Sequence, residues 1–416
     1  MADFSELLRE ASLSINREGL AEVEGVCRRC LGRAFAKVGR GLTNPARGAE
    51  VTTFLAYQVA SDAACTVCRG IFLKMDTYVR LVLDAIAPWE HSTFLIGSRF
   101  DPVQLEAEER LWSLARTEHH EPIKAEFNRE LGKAVGQLTG KSVDFERPDL
   151  TIVVDTVYET VDVQVASLFI KGRYRKTRRG IPQTRWPCKM CRGAGCPHCG
   201  GKGKMYETSV EEIIAARLMP LTMASAHAFH GMGREDIDAR MLGTGRPFII
   251  EMKEPHRRSI DLAGVERQIN GSGEGVDVSM LMLTTSSEVR RIKEARSDKV
   301  YRVLVALEPK VSEEKLKEGV NTLHGSRIVQ QTPRRVAHRR ADMSRHRMIR
   351  GMVVERYDDE GVTLLITAEA GTYIKEMITG DDGRTHPSLS EALGVRCTVR
   401  SLDVISVAEA PRCEAW

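Results

Sequence analysis

The stretch HGMGREDIDARMLGTGRPFIIEM, residues 230–252, places two carboxylates, Asp236 and Asp238, among Arg234, Arg240 and Arg246. Such a cluster admits three kinds of chemistry. It can be a salt-bridged turn, a cradle for phosphate, or a catalytic carboxylate held among arginines that grip nucleic acid. Glycines and Pro247 interrupt the stretch too often for a regular helix or strand. Cysteine carries a second chemistry. Eight of the 10 cysteines fall in four C-x-x-C pairs, Cys27/Cys30, Cys65/Cys68, Cys188/Cys191 and Cys196/Cys199. Thiolates at this spacing can face one tetrahedral ion, so two pairs make a four-cysteine zinc site. Redox C-x-x-C chemistry does not require four pairs.

Two structural zinc sites are expected, Cys27/Cys30/Cys65/Cys68 and Cys188/Cys191/Cys196/Cys199. Neither has a vacant-ligand pattern such as a nearby His-x-Glu, and His198, inside the last pair, is a bystander to a full shell. Glycines follow the pairs of CKMCRGAGCPHCGGKGK, permitting turns that bring backbone N–H groups toward sulfur. This segment is superficially similar to the C-x-x-C-x-G-x-G repeat of DnaJ-type co-chaperones, which carry four such units where only two are present here. Cys397 and Cys413 have no such partner and read as ordinary thiols.

Composition bounds the rest. A chain of 416 residues holds two to four domains, and 61 basic against 57 acidic residues leave it only slightly basic as a whole. The cations are clustered locally. KGRYRKTRRG, 171–180, sets six of them, including Arg173, Arg175 and Lys176, around Tyr174 without an acid. QTPRRVAHRRADMSRHRMIR, 331–350, carries Arg334, Arg335, Arg339 and Arg340 among its seven arginines against the single acid Asp342. Runs of this density suit backbone phosphates, and arginine favours two-pronged contact. No apolar run reaches the roughly 18 residues a membrane span needs. The first residues mix charges into a helical pattern unlike a signal peptide, so a cytoplasmic protein is expected.

The elements that must position these residues are partly visible. Residues 1–90 read as a helical zinc-binding region. Ile123, Phe127, Leu131, Val135 and Leu138 recur on one helical face that Gly140 ends, and TIVVD (151–155) and VDVQV (161–165) read as strands. Residues 91–185 then form an RNA-binding region, 186–205 a four-cysteine knuckle and 206–416 a domain holding the strands VYRVLVALE (300–308) and VTLLITAEA (362–370). The 331–350 segment is expected as a mobile hairpin or loop. GQLTGKS, 136–142, is no phosphate loop, because three residues rather than four separate its glycines and no strand precedes it.

Three segments share a resemblance. GREDIDARMLGTGRP resembles the catalytic loop of pseudouridine synthases, and GTYIKEMITGDDGRTHPSL (371–389) resembles a later motif of tRNA pseudouridine-55 synthases. IKAEFNRELGKAVGQLTGKSVDFERPDL with GRYRKTRRGIPQTRWPC is similar to the THUMP-containing half of the archaeal tRNA pseudouridine-54/55 synthases. The likeness covers essentially the whole chain. It implies a multidomain α+β protein whose catalytic domain is built on a mixed, largely antiparallel sheet. It implies an isomerase acting on uridine 54, 55 or both in the T-arm of tRNA. By the same resemblance Asp236 is the nucleophile, Tyr301 packs against the target base and Lys375 pairs with the aspartate, where the bacterial pattern has arginine. Arg234 and Tyr373 join Tyr301 in contacting substrate, and an apolar pocket residue falls among Val395, Val399 and Leu402.

The inventory agrees with that chemistry. Breaking an N-glycosidic bond and remaking a C–C bond is neither redox nor hydrolysis, so no organic cofactor is called for. It needs a carboxylate, a cation to keep that carboxylate ionised, an aromatic platform for a flipped base and basic surface for the RNA. Nothing in the chain calls for more than a monomer. Asp238 competes with Asp236, its other role being a salt bridge to Arg240 or Arg246. A non-catalytic, zinc-dependent RNA-binding or chaperone-like protein would explain the cysteines and arginines but leave Asp236, Tyr301 and Lys375 idle.

Overall fold

The computed structural model describes residues 18–19, 22–38, 41–339 and 341–408, and only the backbone of 338–339. Arg340, Cys413 and the side chain of Arg339 lie outside the described residues. Two compact units result, Met1–Ala166 with Glu254–Arg258, and Ser167–Lys253 with Ser259–Trp416.

The first unit carries strands β1 (Thr93–Arg99), β2 (Ser142–Val143), β3 (Leu150–Asp155) and β4 (Thr160–Val165) in the order β2-β1-β3-β4. β1 runs parallel to β2 and β3, and β3 and β4 form an antiparallel hairpin. The Ile123–Thr139 helix buries Ile123, Phe127, Leu131 and Val135 and ends at Gly140, whose left-handed φ of 68° suits glycine. Leu138, the last of that series, is exposed on the final turn. No division falls near residue 90. Leu31 and Phe35 from the N-terminal helices share one core with Phe94, Phe127 and Ile152. Tyr78 and Phe100 meet Phe127 edge-on at 5.2 and 5.4 Å, the geometry that aligns ring edges with ring faces. Glu254–Arg258 completes the unit: His256 stacks on Trp89 at 4.0 Å and its carbonyl accepts the Glu90 N–H at 2.9 Å, while Arg258 pairs with Asp149 at 3.3 Å.

The second unit is built on a ten-stranded sheet. Its strands are β5 (Leu168–Lys176), β6 (Ala226–Gly231), β7 (Arg240–Lys253), β8 (Val276–Thr284), β9 (Lys299–Glu308), β10 (Arg327–Gln331), β11 (Ser344–Asp358), β12 (Gly361–Ala368), β13 (Thr385–His386) and β14 (Arg396–Val407). They lie in the order β13-β10-β11-β12-β9-β14-β7-β5-β8, with β6 against β7. Only the β14–β7 pair is parallel among the described residues, so the sheet is mixed and largely antiparallel, as expected. The strands expected at 300–308 and 362–370 are β9 and β12, the latter ending at Ala368.

Three expectations change here. The first unit stops at Ala166 rather than 185, because KGRYRKTRRG opens as the second half of β5 and pairs with β7 and β8. Residues 240–252, too glycine-rich for a strand by pattern, lie within β7. Gly243 and Gly245 take φ of 57° and 75° where a Cβ would stand 1.9 Å from the Ile405 carbonyl and 2.7 Å from that of Tyr174. Glycine is what lets β14 and β5 approach. Finally, 331–350 is not one loop: a short 3-10 turn, Arg334–Arg339, leads into β11 at Ser344.

Candidate active site

Asp236 lies in the connection between β6 and β7, and that connection is pinned from beneath. Glu235, buried, accepts the Tyr174 hydroxyl at 2.8 and 2.9 Å and Arg246 Nε at 2.8 Å. Arg246 Nη1 donates to the Met232 carbonyl at 2.7 Å, and Gln183 Nε2 to that of Gly233 at 3.0 Å. Lys176 Nζ reaches the carbonyls of Ile181, Asp236 and Ile237 at 2.7, 3.2 and 3.3 Å. Gly233 has no Cβ to block the guanidinium, which would lie 3.1 Å from one. Burial and the neighbouring Glu235 hold the Tyr174 phenol well above its ordinary range, so it stays a donor.

Above this base two cations bracket Asp236. Arg335 Nη1 stands 3.0 Å from Oδ1 and Lys375 Nζ 3.4 Å from Oδ2. Lys375 is nearer Asp238, at 2.7 and 2.9 Å. Arg335 is also fixed by Glu376, 2.6 Å from its Nε. Burial works against the Arg335 charge, but Glu376 and Asp236 outweigh it and raise its pKa. The Ile374–Thr379 helix therefore supplies Lys375 and Glu376, and the 3-10 turn supplies Arg335. The GTYIK motif is held by buried Gln330, which donates to the Tyr373 carbonyl and accepts its N–H, both at 2.9 Å. Tyr301, on β9, is buried. Burial pushes its phenol up to about 12, with Arg246 pulling down and Asp236 pushing up. It is a neutral aromatic within the electrostatic reach of Asp236 and Arg246.

The residues expected at the site divide into those the fold brings together and those it does not. Asp236, Lys375 and Tyr301 gather as described. Arg234 is exposed, its guanidinium 5.0 Å from the ring centre of Trp186. Arg334 is exposed and pairs with Asp382 at 2.6 Å. Lys176 cannot meet phosphate as expected: it faces inward on β5, fully buried, with its ammonium spent on carbonyls. Arg173 likewise bonds the carbonyls of Thr244, Gly245 and Val407 at 2.7, 2.9 and 3.2 Å. Arg175 is exposed and pairs with Asp277 at 3.1 Å. Asp238 pairs with neither Arg240 nor Arg246, because Arg240 forks onto Asp403 at 2.5 and 3.0 Å and Arg246 is held by Glu235. Of the apolar candidates Val395, Val399 and Leu402, Leu402 is buried on β14. The anchoring Glu235 and the Arg335 contact to Asp236 were not foreseen. The first had a sequence signal, since Leu168, Ile170, Gly172, Tyr174 and Lys176 alternate inward on β5 and demand a buried partner.

Both cysteine groups can hold a metal ion: in each, the four sulfurs lie within 4.8 Å of one another. Their surroundings suit thiolates. Cys65 Sγ accepts the N–H groups of Cys27 and Cys68 at 3.3 and 3.5 Å, and Arg33 donates to Cys30 Sγ at 3.5 Å. In the second group Gly195 N–H reaches Cys191 and Gly203 N–H reaches Cys199, both at 3.2 Å. Although burial raises the Cys199 thiol, the N–H groups of Cys196 and Gly203 draw it down to about 6.

The fold is that of a THUMP-containing enzyme of the pseudouridine synthase class: the family model "Pus10 THUMP domain, archaeal" matches residues 78–155 and "Pus10, C-terminal" matches 169–408. The tRNA pseudouridine synthase Pus10 of Halorubrum lacusprofundi is 42% identical over 92% of this chain and 93% of its own. That of Methanothermobacter marburgensis is 43% identical over 92% and 95%, and that of Methanopyrus kandleri 40% over 91% and 94%. The chain belongs to the Pus10 family of tRNA pseudouridine synthases.

Proposed function

We propose that this isomerase converts uridine to pseudouridine at position 54, 55 or both of the tRNA T-arm, with Asp236 acting on the ribose of the target nucleotide. The observation that carries the reading is the bracket of Arg335 and Lys375 around Asp236, mounted on a loop whose carbonyls are fixed by Arg246, Gln183 and Lys176. Cations on both oxygens offset the carboxylate's charge as RNA displaces water, and a fixed loop sets its direction. In the reaction the N1–C1′ bond breaks, the uracil turns, and C5 bonds C1′. The C5 proton leaves to solvent and N1 gains one, so neither oxidant nor water is consumed. Tyr301 offers the flipped base an apolar face. Arg175, Arg334 and the arginines that follow supply contacts to the RNA backbone.

Each cysteine group holds zinc, which when bound supplies fold stability and no chemistry at the uridine. We take the working unit to be a monomer. No helix among the described residues is long and apolar enough to cross a membrane. We place the enzyme in the cytoplasm on the ground of its proposed tRNA substrate. The test is to incubate the protein with unmodified tRNA transcript and map pseudouridine by position, following C5 tritium release in parallel. Release with pseudouridine at 54, 55 or both is expected; tight tRNA binding without release would leave only an RNA-binding protein.

A further inference from the structure

The cysteine knuckle at 188–199 is joined to the loop of Asp236 by one aromatic side chain. Its stem is a short antiparallel ladder: the Cys188 N–H donates to the Gly203 carbonyl and the Met205 N–H to the Trp186 carbonyl, both at 2.9 Å. Trp186 and Tyr206 stand together at the end of this ladder away from the cysteines, their rings edge to face at 5.6 Å. The ring of Trp186 also carries the guanidinium of Arg234, 5.0 Å from the ring centre. Arg234 lies next to Glu235, whose side chain is locked beneath the loop, and two residues before Asp236. One end of Arg234 is therefore set by the buried anchor and the other by a tryptophan on the stem of the knuckle.

We propose that Trp186 is a positioning residue for Arg234, and that the Cys188–Cys199 knuckle serves the reaction by holding Trp186 in place. This rests on the reading of the chain as a tRNA pseudouridine synthase. An exposed arginine samples many rotamers, and each must be surrendered when RNA binds. A cation seated within about 6 Å of an indole face is presented in one orientation beforehand. The ladder sets the separation of Trp186 from Tyr206, and the four cysteines close the ladder. Opening the knuckle thus releases Arg234 without disturbing the Glu235 anchor.

The test is a double-mutant cycle in the full chain on unmodified tRNA transcript, reading both the tRNA Kd and the single-turnover rate. Trp186→Leu and Arg234→Met should each weaken the combined value of rate over Kd by roughly 3- to 10-fold. The double variant should be no worse than the poorer single, because one interaction is lost once. Trp186→Tyr and Trp186→Phe should fall between wild type and Trp186→Leu, in the order of their ring faces as cation sites. Arg234→Met should also shift the emission of Trp186, and so should withdrawal of the knuckle's metal by a chelator, read as fluorescence rather than turnover. Additive losses, a Trp186→Leu variant equal to wild type, or a Phe and Tyr series without graded rescue would each overturn the proposal. If Trp186→Leu lowers metal content, the Tyr and Phe variants still decide the matter through that order. A wild-type chain that binds tRNA but makes no pseudouridine would fail the functional reading instead, and the cycle on Kd alone would still test the coupling.

Discussion

Arg335 Nη1 lies 3.0 Å from Asp236 Oδ1, and those two residues stand 99 positions apart in the chain. The arginine-rich segment therefore places one of its cations on the carboxylate at the centre of the site, while Lys375 divides its charge between Asp236 and Asp238. Replacing Arg335 by Met should lower kcat/KM by roughly 10- to 100-fold, the scale of a lost charged hydrogen bond. Arg335→Lys should be intermediate. Arg334→Met removes an exposed pair with Asp382 and one contact to the RNA backbone, and should stay within roughly threefold of wild type. Equal effects at 334 and 335 would show that both serve RNA attraction alone.

Asp236→Asn keeps shape and hydrogen bonding but removes the charge. Pseudouridine formation should fall below detection while tRNA affinity stays within roughly a few-fold, since backbone contacts persist. Asp238→Asn should keep activity within roughly tenfold, because Lys375 retains Asp236 as a partner. Near wild-type turnover by Asp236→Asn would remove this residue from the chemistry.

Glu235 is the carboxylate to which the buried cations answer. Glu235→Ala leaves Arg246 and Lys176 buried without their counter-charge, and should cost on the order of 3–5 kcal/mol of stability. Chemical denaturation measures this. A loss near zero would mean that the loop is held by its carbonyl contacts alone.

Lys299 carries a pH signature. Burial, and then the charge of Arg246, draw its pKa from 10.5 down to about 8, and its Nζ donates to the Ser297 carbonyl at 2.8 Å. Between those two values the unfolded chain holds a proton that the folded chain has released, so this group makes stability rise as pH increases from about 8 to 10.5. Lys299→Met should remove that slope and stabilise the protein at neutral pH by on the order of 1–3 kcal/mol. Denaturation midpoints at several pH values decide it, and an unchanged slope would show that Lys299 stays charged in the fold.

Elemental analysis should find about two zinc ions per chain, one for each four-cysteine shell. The two should leave differently. Cys27, Cys30, Cys65 and Cys68 sit within the core of the first unit, so stripping that site should unfold it, whereas the more exposed second group should release its ion first. A single ion, or simultaneous loss of both at low chelator concentration, would contradict this ordering.

Period and spacing made much of this legible. The β-rich runs TIVVD and VYRVL, the alternation of VDVQV, the helical face of Ile123, Phe127, Leu131 and Val135, and the cysteine spacing each correspond to an element of the fold. β5 was hidden because its charges drew attention from its period. Lys176 and Tyr174 point inward, where a lysine is unexpected until Glu235 is known to be there. Glu235 was hidden by its neighbour, since two adjacent acids look alike in sequence although one is buried and the other half-exposed. Arg335 was indistinguishable from the arginines around it. Only the tertiary fold, which brings the 3-10 turn against the Ile374–Thr379 helix, separates it from them.

The five residues Glu254–Arg258 have a practical bearing on dissection of the gene. They are encoded nearly ninety codons beyond Ala166, yet His256 covers Trp89 and Arg258 braces Asp149. A fragment truncated after Ala166 would leave that indole bare and the Glu90 amide without its acceptor. The THUMP-bearing unit is thus not a contiguous cassette. A recombinant version intended for RNA-binding assays needs the pentapeptide grafted back through a short linker, and without it the fragment should melt earlier and tend to aggregate through Trp89.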